Sequence, residues 1–250
     1  MLLAIDIGNS LIKFGVFDGD DLLDRSTLPS KRDHHSGDLR FDRFTSLNID
    51  KIIVASVVPD LTDDVREASQ KHFQITPTFI DHSTDFGLKI HYDPPESVGM
   101  DRLINSFAAV NKYGTPAIVC SFGTATVIDA VSKDNKFLGG IIAPGVRTMA
   151  ESLNNTTSKL PAVEIEEPEG LIGNSTGSAI LSGIVNGQIA MVEGLIAKIS
   201  SNLMRGTRNS ELTVVATGGF ANLIASKIDA VTHIDENLTL DGLRLLAERA

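Results

Sequence analysis

The sequence predicts an α/β protein of two domains with similar topology, each a mixed sheet flanked by helices. Strands follow one another near the start of the chain and then alternate with helical segments, which is the pattern of a mixed sheet in an α/β domain. The chain also contains an internal repeat: residues 118–129 align with the first hairpin at an offset of 115 residues, so that Gly8 aligns with Gly123. A hairpin repeated at half the chain length predicts domains at 1–114 and 115–250.

Composition places the chain among soluble globular proteins. Of its 250 residues 42% are hydrophobic and 22% charged, and the formal net charge is −10. No stretch is dense in Lys or Arg, so binding to nucleic acid lacks its main source of affinity. The longest apolar runs fall short of a membrane span, and Met1 leads straight into a strand, so no signal peptide fits. These features predict a cytoplasmic protein without membrane or nucleic-acid partners.

The cysteine and histidine content predicts no zinc or iron site. The histidines do not pair at metal-ligand spacing, and the chain has one cysteine. Cys120 lies inside an apolar run, which favours a buried small residue; a reactive thiol is the less favoured alternative.

The first hairpin carries groups suited to phosphoryl transfer. It joins the apolar runs 2–5 and 11–17 through the segment 6–10, Asp-Ile-Gly-Asn-Ser. Gly8 permits a close backbone approach, and successive N–H groups of a tight turn can bind an anion. Asp6 can hold hydrated Mg²⁺, and Lys13 adds positive charge. Alone, this stretch would favour an ordinary hairpin, but its repetition favours a nucleotide held between two domains.

The remaining N-terminal elements follow from apolar spacing and from Pro and Gly. The run at 51–59 is nearly continuous and apolar, as in a strand covered on both faces. We expect a third antiparallel strand at 21–28, followed by a polar loop at 29–38 and a short helix at 39–47. Further on, we expect a helix at 60–73 and a short strand at 78–80.

A second chemical signal lies at residues 91–113. Two prolines exclude a helix before about residue 97, and the apolar spacing from Leu103 onward predicts a helix with one buried face. Asp101 and Arg102 then lie in its first turn. The helix dipole favours Asp101 there by up to about 1 kcal/mol but not Arg102. An anion or substrate carboxylate beside Gly99 therefore explains the pair as well as a purely structural role does.

The C-terminal half repeats the hairpin and adds helices. Paired glycines at 139 and 140 predict a close approach of the backbone to a ligand or to another backbone. A strand followed by Gly218-Gly219 and a helix is common in nucleotide-binding proteins. The small residues of the predicted long helix permit tight packing or a subunit interface. We expect the hairpin at 114–130, a glycine-rich apolar run at 137–146, helices at 148–154, 179–202, 221–227 and 235–250, and an acidic loop at 164–169.

These motifs, in this order, resemble the type III pantothenate kinases of the acetate kinase/actin/hexokinase superfamily. The resemblance runs from Asp6 to Leu246 and includes the segments 6–10, 55–59, 99–102 with Asn105, 122–126, 139–145 and 217–220. It implies two RNase H-like domains of the actin-like ATPase (ASKHA) fold. It also implies ATP-dependent phosphorylation of pantothenate to 4′-phosphopantothenate, the first step of coenzyme A biosynthesis, with Mg²⁺ and in a homodimer whose active site lies at the subunit interface.

The resemblance assigns roles by matching position. Asp101 would be the base that accepts the substrate hydroxyl proton, Asp6 would hold Mg²⁺ through water, and Thr124 would contact ATP. Thr176 would reach the substrate from the partner subunit. The ATP phosphates would be lined by Asp6, Ile7, Gly8, Asn9, Ser10, Leu11, Ile12 and Lys13, and pantothenate by Tyr92, Gly99, Met100, Asp101 and Arg102.

Ser121 departs from the family pattern. The family usually has an aspartate at this position, associated with a monovalent cation such as K⁺ or NH₄⁺, whereas a serine oxygen is neutral and binds such an ion less strongly. The chain could depend less on K⁺, use Asp129 or backbone carbonyls instead, or be a weak kinase. A catalytically weakened relative with a regulatory or binding role is the alternative function. A sugar or acetate kinase would leave the segment 99–102 unexplained.

Overall fold

The computed structural model describes residues 1–30, 39, 41–204 and 211–249. The chain divides into two compact units: unit 1 comprises Met1–Leu88, Asp93–Ala108 and Asn237–Ala250, and unit 2 comprises Lys89–Tyr92 and Ala109–Glu236. Compared with the expected division at residue 114, the main difference is that the C-terminal segment belongs to unit 1. Parts of three expected elements lie outside the described residues: positions 31–38 of the polar loop, position 40 of the short helix and position 250 of the last helix.

The strands and helices agree in position with most of the sequence expectations. The strands are β1 (Leu2–Ile7), β2 (Leu11–Asp18), β3 (Asp21–Pro29), β4 (Lys51–Ser56), β5 (Thr78–Phe79), β6 (Lys89–Ile90), β7 (Ala117–Phe122), β8 (Ala125–Val131), β9 (Lys136–Pro144), β10 (Thr213–Thr217) and β11 (His233–Ile234). The helices are α1 (Thr62–Phe73), α2 (Met100–Tyr113), α3 (Val146–Thr156), α4 (Thr176–Leu203), α5 (Ala221–Ala225) and α6 (Leu238–Ala247).

The two sheets have the same topology, which confirms the predicted fold class. In unit 1 the strand order is β3-β2-β1-β4-β5, and in unit 2 the order β9-β8-β7-β10-β11 is extended by β6 at the β9 edge. In each sheet the first three strands of this order pair with one another in antiparallel fashion, and β6 is parallel to β9. The last two strands run parallel to the central one or to each other. The repeat seen in the sequence is therefore a repeat of the whole sheet.

The burial of the unit 1 strands explains their sequences. β1 and β4 lie side by side near the centre of the sheet and are buried over most of their length, so nearly every position is apolar. β3 is the edge strand and alternates between exposed and partly buried positions. Instead of the short helix expected at 39–47, Phe41–Phe44 forms a single 3₁₀ turn whose two phenylalanines pack against Phe14.

The 28-residue helix α4 has the length and apolar composition of a membrane-crossing helix, the one such helix in the described part of the chain. The mean hydropathy of its most apolar window is 1.5, and a third of that window is buried. By composition, then, one apolar run is long enough to span a membrane, contrary to our expectation. Core helices of soluble proteins have the same properties, and the buried positions of α4, among them Val185 and Val192, pack in the unit 2 core.

The C-terminal helix α6 packs on α2 within unit 1. A methyl group on Gly242 would approach Ile104 Cγ2 to 2.7 Å and the Ile104 carbonyl oxygen to 2.9 Å, so the two helices lie closer than a side chain permits. Thr239, one turn earlier, hydrogen-bonds to Asn105. The leucines of α6 at 238, 240, 243 and 246 are all buried. This packing is why the last helix belongs to unit 1.

Gly242→Ala should destabilise the protein by about 1–3 kcal/mol, because the added methyl group overpacks the contact with Ile104. Chemical unfolding of both proteins measures the difference. Gly177→Ala is the matched control, since no atom lies within 4 Å of the methyl group it would add. Equal stability of Gly242→Ala and wild type would contradict the close helix contact.

Candidate active site

The first hairpin presents an ion pair beside a glycine turn. Asp6 lies opposite Lys13 in the register of β1 and β2, and Lys13 Nζ donates to Asp6 Oδ2 at 3.1 Å. Gly8 N donates to the Leu11 carbonyl oxygen at 3.0 Å, and Ser30 Oγ donates to the Gly8 carbonyl oxygen at 2.6 Å. The predicted turn is present, with its carboxylate and its lysine in contact.

Burial separates the candidate phosphate residues 6–13 into two groups. Ile7 and Ile12 are fully buried and face each other across the hairpin, so their side chains belong to the core. Asn9, Ser10 and Leu11 are exposed. A ligand at this turn can therefore meet the side chains of 9–11, Lys13 and the backbone, but not the two isoleucine side chains.

The start of α2 brings three candidate residues together. The Gly99 carbonyl oxygen accepts hydrogen bonds from the backbone N–H groups of Arg102 and Leu103, at 3.1 and 3.3 Å, so Asp101 and Arg102 lie in the first turn as expected. A methyl group on Gly99 would lie 2.5 Å from Asp101 Oδ1, which means that the carboxylate folds back over Gly99. Gly99 is therefore required for the position of this carboxylate.

The second hairpin in unit 2 repeats the glycine turn without an ion pair. Gly123 N donates to the Ala125 carbonyl oxygen at 3.0 Å. The Thr124 carbonyl oxygen accepts from Gly145 N at 3.0 Å and from Thr148 Oγ1 at 2.7 Å. Thr124 is thus fixed by the start of α3, and Ser121 occupies the position that corresponds to Asp6.

Asp129 lies on the same face of the sheet as Ser121. Ser121 pairs with Val127, and Asp129 is two residues further along β8. Asp129 is 3% exposed, and a methyl group on Gly140 would lie 2.5 Å from its Oδ1. No group of three or more His, Cys, Asp or Glu residues in the described part of the chain could hold a metal ion. Asp129 stays open as the replacement carboxylate.

Cys120 is a structural residue, which confirms the favoured expectation. Its side chain is fully buried, and burial, with a smaller contribution from the Asp129 charge, raises the pKa of the thiol to about 12. A thiol with this pKa is neutral at physiological pH and is not a nucleophile.

The other candidates in unit 2 are Tyr92 and Thr176. The Tyr92 ring packs over Gly139, where a methyl group would lie 2.9 Å from two ring carbons, and its centroid is 6.3 Å from that of Phe137. Gly140 makes room for the Ile128 carbonyl oxygen. The paired glycines therefore serve close approaches within the chain. Thr176 is exposed at the first position of α4, after the capping residue Ser175.

A cavity of about 490 Å³ in unit 2 was not predicted from the sequence. One wall is a face of α3 (Arg147, Ala150, Glu151 and Asn154), and the others are residues 162–165 and Phe220. The Arg147 guanidinium lies 5.6 Å from the centre of the Phe220 ring.

The cavity is connected to the second hairpin. The Gly218-Gly219 turn, which precedes Phe220, packs on the backbone of Phe122, and Phe220 N donates to the Phe122 carbonyl oxygen at 3.2 Å. The spacing 147, 150, 151 and 154 on a helix beside a Gly-Gly turn is the sequence signal that could have located it.

Two sheets of the same topology, each with a glycine hairpin, define the actin-like (ASKHA) fold. The chain is similar to a solved structure from Sinorhizobium meliloti, a "putative 2-dehydro-3-deoxygalactonokinase protein", with a TM-score of 0.59 and 11% identity over 100% of this chain and 96% of that one. It is also similar to a "conserved putative Baf family transcriptional activator" from Campylobacter jejuni, with a TM-score of 0.62 and 20% identity over 99% and 98%. At these identities the likeness establishes the fold alone.

Within this class, the chain belongs to the type III pantothenate kinase family. The model of that family matches residues 2–198. A type III pantothenate kinase from Geotalea daltonii is 39% identical over 257 residues, which cover 100% of this chain and 98% of the relative. The family resemblance inferred from the motifs is thereby confirmed.

Proposed function

We propose that this protein transfers the γ-phosphoryl group of ATP to an alcohol oxygen of pantothenate, for coenzyme A biosynthesis. The observation that carries the proposal is the full-length relationship to proteins named type III pantothenate kinase. The conformations of the two glycine turns and of the α2 start support it. Asp6, Lys13, Asp101 and Thr124 are all present, so the alternative of a weakened regulatory relative is supported only by Ser121.

In unit 1 the first hairpin would bind the ATP phosphates. Lys13 offers a positive charge, and the turn offers backbone N–H groups next to exposed side chains. Asp6 is nearly buried, and Oδ2 is bonded to Lys13, so this carboxylate fits hydrated Mg²⁺ held by one protein oxygen and several waters. The metal ion would neutralise charge on the phosphates.

In unit 2 the cavity beside Phe220 would receive the nucleoside. Its walls combine an aromatic ring with Ala150, Val163 and Ile165, and its rim carries amide and carboxylate groups. Apolar walls with a few polar groups are the usual surroundings of a flat heterocycle that carries an amino group. The hydrogen bond from Phe220 N to the Phe122 carbonyl oxygen ties this cavity to the turn that holds Thr124.

Asp101 would accept the proton of the substrate hydroxyl. Its position in the first turn of α2, folded over Gly99, fixes the carboxylate relative to the helix. In a loose transition state the proton leaves late, so the carboxylate has mainly to orient the alcohol. Arg102 is the cation suited to the carboxylate of pantothenate. Met100 is buried and would act through its backbone. By the family resemblance, Tyr92 and, from a partner subunit, Thr176 would also contact the substrate.

Asp101→Asn should keep the fold and lower turnover by about 10²–10³-fold, because the neutral amide orients the alcohol less strongly than a carboxylate and cannot accept its proton. The assay follows 4′-phosphopantothenate formed from ATP, Mg²⁺ and pantothenate. Asp64→Asn, in the first turn of α1, is the matched control for the loss of a helix-dipole carboxylate and should retain full activity. A fully active Asp101→Asn would remove Asp101 as the base, and an inactive wild type would overturn the proposed function.

Ser121 would reduce the response to K⁺, because its oxygen is uncharged. We expect K⁺ to stimulate Ser121→Asp more than wild type, whose remaining response would depend on Asp129 or on backbone carbonyls. Turnover of both proteins with K⁺, or with tetramethylammonium at equal ionic strength, measures this. Equal rates in all four conditions would exclude a cation role for position 121.

The exposed face of α4 would be covered by a second copy of the chain. Gly183, Gly187, Ala190 and Gly194 follow one another at helical spacing opposite the buried positions, and nothing lies within 4 Å of a methyl group added at the three glycines. An apolar helix with a stripe of small residues suits close packing against another helix. A homodimer in the cytoplasm would bury this face and place Thr176 at the interface.

Gly187→Leu should dissociate this homodimer, because the new side chain stands where the partner helix would pack. Sedimentation or light scattering over a concentration series measures the mass. Glu193→Leu adds the same side chain about a third of a turn around the helix and should leave the dimer intact. A dimer that survives Gly187→Leu, or a monomeric wild type, would contradict the interface.

A further inference from the structure

The α2 helix carries a further polar side chain close to Asp101 and Arg102. Asn105 follows Asp101 by four residues and Arg102 by three, and residues at these spacings share one face of a helix. Helical side chains lean toward the N-terminus of the helix, so the Asn105 amide extends toward the turn that carries Asp101.

The Asn105 amide is oriented by a residue from the other end of the chain. Thr239 Oγ1, on α6, donates to Asn105 Oδ1 at 2.8 Å, and each of the two residues is only 5% exposed. This bond occupies the acceptor end of the amide. The donor end, Nδ2, has no hydrogen-bond partner among residues 1–30, 41–204 and 211–249.

An oriented amide whose donor end has no protein partner points to a ligand. Although Asn105 is only 5% exposed, Nδ2 is not among the fully buried atoms that lack a partner, so it can be reached from outside the protein. A substrate oxygen can therefore accept from Nδ2 in place of water. The bond to Thr239 uses only the oxygen of the amide. The accessible donor is held on the helix face that carries Asp101, where the substrate would bind.

We propose that Asn105 binds pantothenate through a hydrogen bond from Nδ2 to an uncharged substrate oxygen, a hydroxyl or the amide carbonyl. Thr239 is then a positioning residue, since its hydroxyl holds the amide with the donor end toward the substrate. This inference rests on the proposed function and adds two residues to that site. An uncharged donor suits these oxygens because Arg102 supplies the cation for the carboxylate.

Asn105→Ala should raise the KM for pantothenate about tenfold, which is the usual effect of losing one hydrogen bond between uncharged groups. The KM for ATP and kcat should stay close to the wild-type values, because the contact is made equally in the ground and transition states. Ser106→Ala is the matched control. Ser106 is also buried on α2, and its Oγ has no partner among the described residues, so its KM should not change.

Thr239→Val and Thr239→Ser test the positioning role. Valine keeps the shape but removes the hydroxyl, so the KM for pantothenate should rise by about threefold as the amide loses its fixed orientation. Serine restores the hydroxyl and should restore the KM. In the Asn105→Ala background Thr239→Val should have no further effect on KM, because the threonine acts only through the amide. A merely structural bond would lower the melting temperature and leave every KM unchanged.

The outcomes separate this inference from the function on which it rests. A wild type without pantothenate turnover would overturn both. An active wild type with an unchanged KM in folded Asn105→Ala would overturn the substrate contact alone. If Asn105→Ala does not fold, the Thr239 pair decides, since an unchanged KM in Thr239→Val overturns the inference. A Thr239→Val effect that persists in the Asn105→Ala background would overturn the positioning role.

Discussion

Both sheets depend on one constraint, a central strand that must end in a turn tight enough to return the chain beside it. Gly8 N and Gly123 N close these turns by bonding to carbonyl oxygens two or three residues later, each at 3.0 Å. The central strand has an antiparallel partner on one side and a parallel partner on the other. At its carboxyl end the chain connections therefore lead to opposite sides of the sheet, and α/β sheets bind ligands at such points. Side chains at such a turn are released from core packing, and Asn9 and Ser10 are accordingly exposed.

The features that the sequence predicts well are those determined by local patterns. Strand β4 is recognisable because burial on both faces makes its residues 52–55 continuously apolar. The first turn of α2 is recognisable because two prolines limit where the helix can begin and the apolar spacing shows its buried face. The similar topology of the two units follows from an offset that aligns Gly8 with Gly123, and the shared strand order bears it out.

The features that the sequence does not predict depend on contacts between distant segments. The apolar spacing of α6 indicates a buried face but not what covers it, and the contact with Ile104 is visible only in the structure. The sequence left open whether the glycines at 139 and 140 approach a ligand or another backbone. In the structure Gly140 makes room for the Ile128 backbone, and Gly139 makes room for the Tyr92 ring. The cavity beside Phe220 needs α3 and residues 162–165 together, although they lie more than fifty residues before Phe220 in the chain.

The position of α6 connects the stability of unit 1 to the chemistry proposed for α2. Thr239 and Gly242 are three residues apart on one face of α6, and both contact the middle of α2. The absent side chain at Gly242 permits the close approach that allows the short threonine side chain to reach Asn105. A base and a cation at a helix start must be held within a few tenths of an ångström to act, and packed helices hold such groups more accurately than loops do. The last helix of the chain thus helps to hold the Asp101 carboxylate, which precedes it by more than a hundred residues.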